Sequence, residues 1–322
     1  MKTCFSAPTA PTLTLSAATG SAYYSGTGST IWFRSAAGAT GGFDIVASST
    51  DGQTGVASYA YPGLGAGWSQ SGAGANRTYT YSNAAVEPGA TNVTATNGAG
   101  GVSANGVFTV SNDLTAPGGG SIIANGGAAY DGDGTVALVK VDHTDGGAGV
   151  ASQTLTRAAA TLAADSCGAF TGSDPVTILG GNDTATLTTG CYRYTLAATD
   201  NVGNQGSTQT IVKVDTSAPT APSLALSNLS ANAFYAAGTL YIRPSAAGTF
   251  RVTAASTDAD SGVASYAFGS LNTDGGANFG GSQTGAQFDY TFDGTTTAPG
   301  TARTATATNP AGGGSATASD SI

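Results

Sequence analysis

Aspartate is the residue type in this chain best placed to do chemistry. Asp51, Asp145 and Asp258 each stand four residues before a glycine, Gly55, Gly149 and Gly262, that opens a Gly-Val-Ala-Ser segment. Two chemistries suit that spacing. A carboxylate can accept hydrogen bonds from main-chain N–H groups one or two residues on and hold an Asx-type turn, with glycine supplying the positive φ that ends it. Alternatively, carboxylates from neighbouring loops can collect around Ca²⁺, which takes several oxygen ligands. Asp131-Gly132-Asp133-Gly134 adds two alternating carboxylates but lacks the remaining ligands of an EF-hand loop.

Other chemistries find less support. A serine or cysteine nucleophile needs a base beside it, and the only histidine, His143, lies next to Asp142 at a place where the other copies of its segment carry Ser49 and Ser256. It reads as a surface or edge histidine. Glu87 is the only glutamate, and no acid sits in an obvious aromatic cleft of the kind glycoside hydrolysis would use. An enzyme is therefore not expected. Trp32, Trp68, Tyr23, Tyr24 and Tyr61 could stack on sugars, yet Tyr24 is matched by Tyr235 and Trp32 by Tyr241, as packing positions would be. Trp68 has no counterpart and stands among Gly65, Gly67 and Gly72, so it is the expected exposed aromatic and the candidate glycan ligand. Cys167 and Cys191 are expected to form a disulfide if the protein is exported, and Cys4 is left as a free thiol or an intermolecular link.

The elements that must position these residues are repeated. Ala7-Pro8-Thr9-Ala10-Pro11 returns as Ala218-Pro219-Thr220-Ala221-Pro222, and Gly55-Val56-Ala57-Ser58-Tyr59-Ala60 returns as Gly262-Val263-Ala264-Ser265-Tyr266-Ala267, with Gly149-Val150-Ala151-Ser152 between. That spacing divides the 322 residues into three copies of roughly a hundred. Strand signals have period two: Phe43, Ile45 and Ala47 alternate with Asp44, Val46 and Ser48, and Phe250, Val252 and Ala254 with Arg251, Thr253 and Ala255. Asp44 and Arg251 occupy matched outward positions, where a solvated site accepts either charge. Val139 and Val141 alternate less cleanly with Leu138 and Lys140, and 157–163 is the only short helical candidate. The linkers Asp113-Leu114-Thr115-Ala116-Pro117 and Asp215-Thr216-Ser217-Ala218-Pro219 share a form in which proline fixes φ and extends the residue before it, so the joints should be stiff.

Composition narrows the partners. Only 9% of residues are charged and the net charge is -9, which leaves no basic stripe for nucleic acid and nothing to dock on an anionic membrane. No stretch has the length of a membrane-spanning helix, and Met1 to Phe5 shows no apolar signal region. The two ends fall near repeat boundaries, as in a piece of a longer array.

Thr199-Asp200-Asn201-Val202-Gly203-Asn204, after Cys191-Tyr192-Arg193-Tyr194-Thr195-Leu196, resembles the late-strand signature of bacterial immunoglobulin-like domains found in tandem in large secreted and surface proteins. Thr257-Asp258-Ala259-Asp260-Ser261-Gly262-Val263 resembles the turn between strands B and C of that family, and its linkers are similar too. The outer copies depart, with Thr96-Asn97-Gly98-Ala99-Gly100-Gly101 and Thr308-Asn309-Pro310-Ala311-Gly312-Gly313 in place of the acidic turn, so a function tied to Asp200 belongs to the middle copy alone. The resemblance implies an all-β chain of three tandem immunoglobulin-like β-sandwich domains, 1–112, 113–214 and 215–322, with no catalytic residues. In such a sandwich the B–C and F–G loops share the pole where the preceding linker enters. Asp113, Asp145 and Asp200 would then meet at the first joint, and Asp215, Asp258 and Asp260 at the second, as calcium sites. The expected role is a non-enzymatic extracellular or cell-surface spacer of an adhesin-like protein, with neighbouring repeats of the same or identical chains as partners. A self-assembling filament subunit, or a carbohydrate-binding or accessory module of a secreted hydrolase, is the alternative.

Overall fold

The computed structural model describes residues 5–243, 245–300 and 302–320. Cys4, expected to be unpaired within the chain, lies outside the described residues. The chain is all-β: the described residues contain a single 3-10 turn, Asn125–Gly127, and otherwise strands and loops. It divides into two compact units. One holds the residues up to Ser121 with Lys140–Thr154 and Leu196–Thr208; the other holds Ile122–Val139, Leu155–Thr195 and the residues from Gln209 onward.

In the first repeat the strands are β1 (Thr12–Gly20), β2 (Ala22–Tyr23), β3 (Thr30–Phe33), β4 (Gly41–Ser48), β5 (Val56–Ala60), β6 (Trp68–Ser71), β7 (Asn76–Tyr81), β8 (Gly89–Asn97) and β9 (Gly106–Asn112). They form two sheets, ordered β1-β4-β7-β6 and β2-β3-β9-β8-β5. With β2 and β3 as an added first-strand ribbon, this is the A-B-E-D over G-F-C arrangement of immunoglobulin-like sandwiches, and β3 runs parallel to β9. The alternation read from the sequence sets the inner faces. Phe43, Ile45 and Ala47 of β4 are buried, as are Tyr79 of β7, Val93 of β8 and Phe108 of β9.

The last repeat has the same order: Ser223–Ser227, Gly248–Ala255, Gln287–Phe292 and Gly280–Thr284 in one sheet, Ser265–Phe268, Arg303–Thr308 and Ala318–Asp320 in the other. The matched outward pair behaves as a solvated position should. Asp44 faces Thr78 across the strands and accepts its hydroxyl at 2.6 Å, whereas Arg251 faces Asp289 and holds it through Nε and Nη2 at 2.6 and 2.7 Å. In the middle repeat a five-stranded sheet runs Tyr130–Asp131, Gln205–Val214, Gly190–Asp200, Val150–Ala160, Thr171–Pro175 in spatial order, and Ser121–Ala124 pairs with Leu138–Val141. Leu138 supplies the buried side there, while Val139 and Val141 face outward. The helical candidate 157–163 is instead the end of a strand followed by a tight hairpin. Its alanines favour helix locally, but Arg157 and Ala159 are paired with Asp174 and Thr171, and sheet pairing overrides that weak preference.

Candidate metal centre and the repeat joints

The three matched aspartates each build a turn. Asp51 Oδ1 accepts the N–H groups of Gln53, Thr54 and Gly55; Asp145 Oδ1 accepts those of Gly147 and Gly149; Asp258 Oδ1 accepts those of Asp260, Ser261 and Gly262. Gly55, Gly149 and Gly262 then take φ of 70°, 78° and 82°, the left-handed region a side chain disfavours. The Asp131-Gly132-Asp133-Gly134 run is a turn of the same kind, with Asp131 Oδ1 accepting from Asp133 and Gly134 and Oδ2 from the Asn125 amide.

What differs among the repeats is the second oxygen. In the middle repeat the linker aspartate Asp113, the turn aspartate Asp145 and the F–G aspartate Asp200 each bring a carboxylate oxygen to within 4.8 Å of the others. Asp113 and Asp200 are buried. Asp113 Oδ2 accepts Ala148 N–H at 2.8 Å and lies so close over Gly147 that a Cβ there would meet it at 2.3 Å. Asp200 accepts Val202 and Asn204 N–H on one oxygen and the Asn204 amide on the other. Asp145 Oδ2 is buried with no hydrogen-bond partner. Three carboxylates at this separation repel one another, and a buried acceptor left unpaired costs free energy. An oxygen-liganded divalent cation answers both, and calcium accepts an all-carboxylate and carbonyl donor set.

In the outer repeats hydrogen-bond donors stand beside the carboxylates instead. At the position of Asp200 they carry Asn97 and Asn309. The Asn97 amide donates to Asp51 Oδ2 at 2.9 Å and to Ser6 O, and the Asn309 amide donates to Asp215 Oδ2 at 3.1 Å, Asp258 Oδ2 at 3.3 Å and Ser217 O. At the position of Ala148 stands Ser261, whose hydroxyl donates to Asp215 Oδ2. Ser217 donates its hydroxyl to Asp215 and Asp260. Thus Asp215, Asp258 and Asp260, which also gather within 4.8 Å, are closed by hydroxyl and amide donors. Burial works to raise the Asp215 carboxyl, and the Ser217 and Ser261 hydrogen bonds outweigh it, leaving it below the usual carboxylate range. At the matched positions the middle repeat carries a carboxylate in place of the amide and a methyl group in place of the hydroxyl, and there one buried carboxylate oxygen has no donor.

The same pole carries the joints. Asp113 N–H donates to Phe33 O and Asp215 N–H to Asp131 O, so each linker leaves its repeat from the same register. The next residue along the first-strand ribbon, Arg34 in one case and Gly132 in the other, touches the F–G turn of the following repeat. Arg34 Nη1 donates to Gly203 O at 3.0 Å, and a Cβ on Gly132 would meet Ala311 O at 2.4 Å. A two-residue hairpin turn, Ala164 and Asp165, both at positive φ, donates its N–H groups to Ala259 O and Asp260 O at 2.9 and 2.8 Å. Cys167, in the second arm of that hairpin, is disulfide-bonded to Cys191 with 5.7 Å between Cα atoms. Lys213 and Tyr130 hold the Asp165 carboxylate from the other side, which lowers its pKa through the Lys213 and then the Tyr130 hydrogen bond.

Three expectations are overturned. Trp68 is half-buried: its ring packs edge-on against Phe33 at 5.0 Å and against Phe43 at 6.1 Å, and its Nε1–H donates to Val86 O. The surrounding glycines let the loop fold the indole inward rather than display it. His143 is buried, not at a surface or edge, with Nε2 3.3 Å from Leu196 O and the ring filling the space where a Cβ on Gly120 would sit. The matched Tyr235 and Tyr241, taken as packing positions, are 38% and 56% exposed.

No protein-family model matches the chain, and no curated protein matches its sequence. Among solved structures it is similar to a segment of a 1.5-MDa bacterial ice-binding adhesin, at 14% identity over 98% of each chain and a TM-score of 0.35. It is also similar to a three-Ig segment of titin, at 12% identity over 88% of this chain and 92% of that one, TM-score 0.31. The mouse nectin-like molecule 4 ectodomain matches at 14% identity over 84% and 94%, TM-score 0.29. The immunoglobulin-like assignment rests on the strand order of the first and last repeats.

Proposed function

We propose that this chain is a non-enzymatic structural spacer of an extracellular, adhesin-like bacterial protein, made of three tandem immunoglobulin-like domains, 1–112, 113–214 and 215–322. In this reading calcium on Asp113, Asp145 and Asp200 fixes the first joint, and hydroxyl and amide hydrogen bonds fix the second. The observation that carries it is the orphaned Asp145 Oδ2 among three carboxylates, at the pole where the linker enters. Bound calcium would supply charge neutralisation and an anchor between linker and loops; Asp113 would tie the linker, Asp145 the B–C turn and Asp200 the F–G turn. Further support comes from the Arg34 guanidinium bond to Gly203 O at the first joint and the main-chain bonds of Ala164 and Asp165 at the second, which would limit bending without a ligand.

Single-molecule stretching tests the spacer. Three unfolding events are expected, two of nearly equal length and one shorter. The loop closed by Cys167 and Cys191, a sequence separation of 24, stays locked under oxidising conditions, which shortens the middle event by about 80 Å, and reduction restores it. Two events, or three that ignore reductant, would overturn the three-domain reading.

A further inference from the structure

The hairpin that meets the last repeat is poorly supported by its own residues. Leu162 pairs with Cys167 and Ala163 with Ser166, and a ribbon of two residue pairs is too short to hold its shape alone. Both residues of its turn, Ala164 and Asp165, stand at positive φ, 46° and 61°, in a turn that usually falls to Asn-Gly or Asp-Gly. Alanine has neither the freedom of glycine nor a polar side chain to offset that conformation. Yet this turn donates Ala164 N–H to Ala259 O and Asp165 N–H to Asp260 O. What holds the hairpin lies outside it. Leu162 is buried at the base of the first arm. The Asp165 carboxylate meets Lys213 and Tyr130, but its side chain is 53% exposed, and a solvated ion pair contributes little. The second arm is fixed at Cys167, whose sulfur is bonded to Cys191 near the start of the core strand Gly190–Asp200. Cys191 is fully buried, whereas Cys167 is half-buried.

We propose that the Cys167–Cys191 disulfide is a redox latch on the second joint. Oxidised, it keeps the Ala164–Asp165 turn seated on Ala259 and Asp260; reduced by a dithiol, it releases the turn while the middle repeat stays folded. The chemistry is thiol–disulfide exchange. A thiolate of the dithiol bonds to the sulfur of Cys167, the less buried residue, and the S–S electron pair leaves on the Cys191 sulfur, which takes a proton. The second thiol of the reductant, losing its proton, then displaces the Cys167 sulfur, which takes a proton in turn, and the dithiol departs as a disulfide. Two electrons pass from the dithiol to the chain, and the second arm of the hairpin is no longer tied to the core strand. The outer repeats carry no cysteine pair, so the effect is confined to this joint. The latch depends on contacts within the chain and requires neither the spacer role nor calcium.

The test is residue-resolved amide hydrogen exchange by NMR on the full chain with Cys4→Ser, oxidised and after dithiothreitol, at one calcium concentration. The Ala164 and Asp165 amides should exchange at least tenfold faster in the reduced protein and recover on reoxidation. Amides of 194–200 in the core strand should change less than twofold, as should Asp215 N–H, which joins Asp131 O without the hairpin. Cys167→Ser with Cys191→Ser should reproduce the reduced pattern, and if that variant folds poorly the reduced parent chain still decides. Lys213→Gln in the oxidised chain should move the two turn amides less than reduction does. Equal protection of Ala164 and Asp165 in both redox states overturns the proposal, as does a bond that dithiothreitol leaves intact in the folded chain. Loss of protection across 194–200 on reduction overturns it too, because the disulfide then holds the fold rather than the joint. A larger effect from Lys213→Gln than from reduction assigns the clamp to the ion pair and overturns it as well.

Discussion

Replacing Asp200 by Asn should stabilise the calcium-free protein and remove most of its response to calcium. Two unit charges 4.8 Å apart repel by about 3.5 kcal/mol at an effective dielectric of 20. Asp200 faces two such partners, Asp113 and Asp145, so neutralising it relieves on the order of 7 kcal/mol before losses. The losses are local. Asp200 Oδ2 accepts the Asn204 amide at 2.7 Å, and an amide nitrogen there would oppose a donor with a donor, costing about 1–3 kcal/mol. The charge-assisted bonds from Val202 and Asn204 N–H also become neutral ones. A net gain of roughly 2–4 kcal/mol in EGTA is expected. In calcium the order narrows or reverses, because a ligand at a hundred times its Kd adds about 2.7 kcal/mol to the wild type. Differential scanning calorimetry with EGTA and with millimolar calcium reads both. For a repeat of this size the gain corresponds to a melting shift on the order of 10 °C. A variant less stable than wild type in EGTA, or one with an undiminished calcium shift, would refute the reasoning.

Other consequences are as direct. The Asn97 amide, followed by the Thr54 N–H, holds the Asp51 carboxyl down at about 2. A group depressed in the folded state adds stability above its unfolded pKa, so this contribution is present above about pH 4 and lost as pH falls toward 2. Carbon NMR should place the Asp51 midpoint near 2, moving up toward 3.8 in Asn97→Ala; a wild-type midpoint near 3.8 would count against the amide as the cause. Changing Cys167 and Cys191 together to serine opens a 24-residue loop and should cost roughly 3.4 kcal/mol in chemical unfolding of the middle repeat; an unmoved midpoint would show that the bond constrains little. Trp68→Ala removes an indole packed on Phe33 and Phe43 and should cost roughly 3 kcal/mol, read by denaturant titration. Retained stability with a lost glycan-array signal would restore it as a ligand residue.

Sequence periodicity carried the sandwich because each strand has a face to declare: Phe43, Ile45 and Ala47 could be placed inward from alternation alone, and their burial follows. The aspartate turns were legible for the same local reason, since the acceptor and its donors lie within four residues. The distinction between the two acidic clusters was only half visible. Asn97 and Asn309 announced a neutral turn, but that the first amide caps Asp51 and the second bridges Asp215 and Asp258 depends on residues 46 to 94 positions away coming together. The same holds for Ser261, which reads as an ordinary turn residue until Asp215 is placed beside it. Trp68 and His143 failed differently. Flexible glycines around an aromatic look like an exposed loop, and a lone histidine looks like a surface residue, unless the cavity each fills is known. Gly120 is the complement of His143, and nothing in the sequence links them.

Beside its hydroxyl and amide bonds, the second joint has a main-chain part, the N–H groups of Ala164 and Asp165 and the close approach of Gly132 to Ala311 O. A contact written in peptide groups is indifferent to most side-chain changes at the residues that make it. The Ala164 side chain can therefore change while both main-chain bonds of the hairpin turn are kept. Within that main-chain part the constrained positions are Gly132, where any side chain would push the turn away, and the two positive-φ positions of the hairpin. A joint arranged this way can lose a side chain at its surface and keep the peptide groups that hold it.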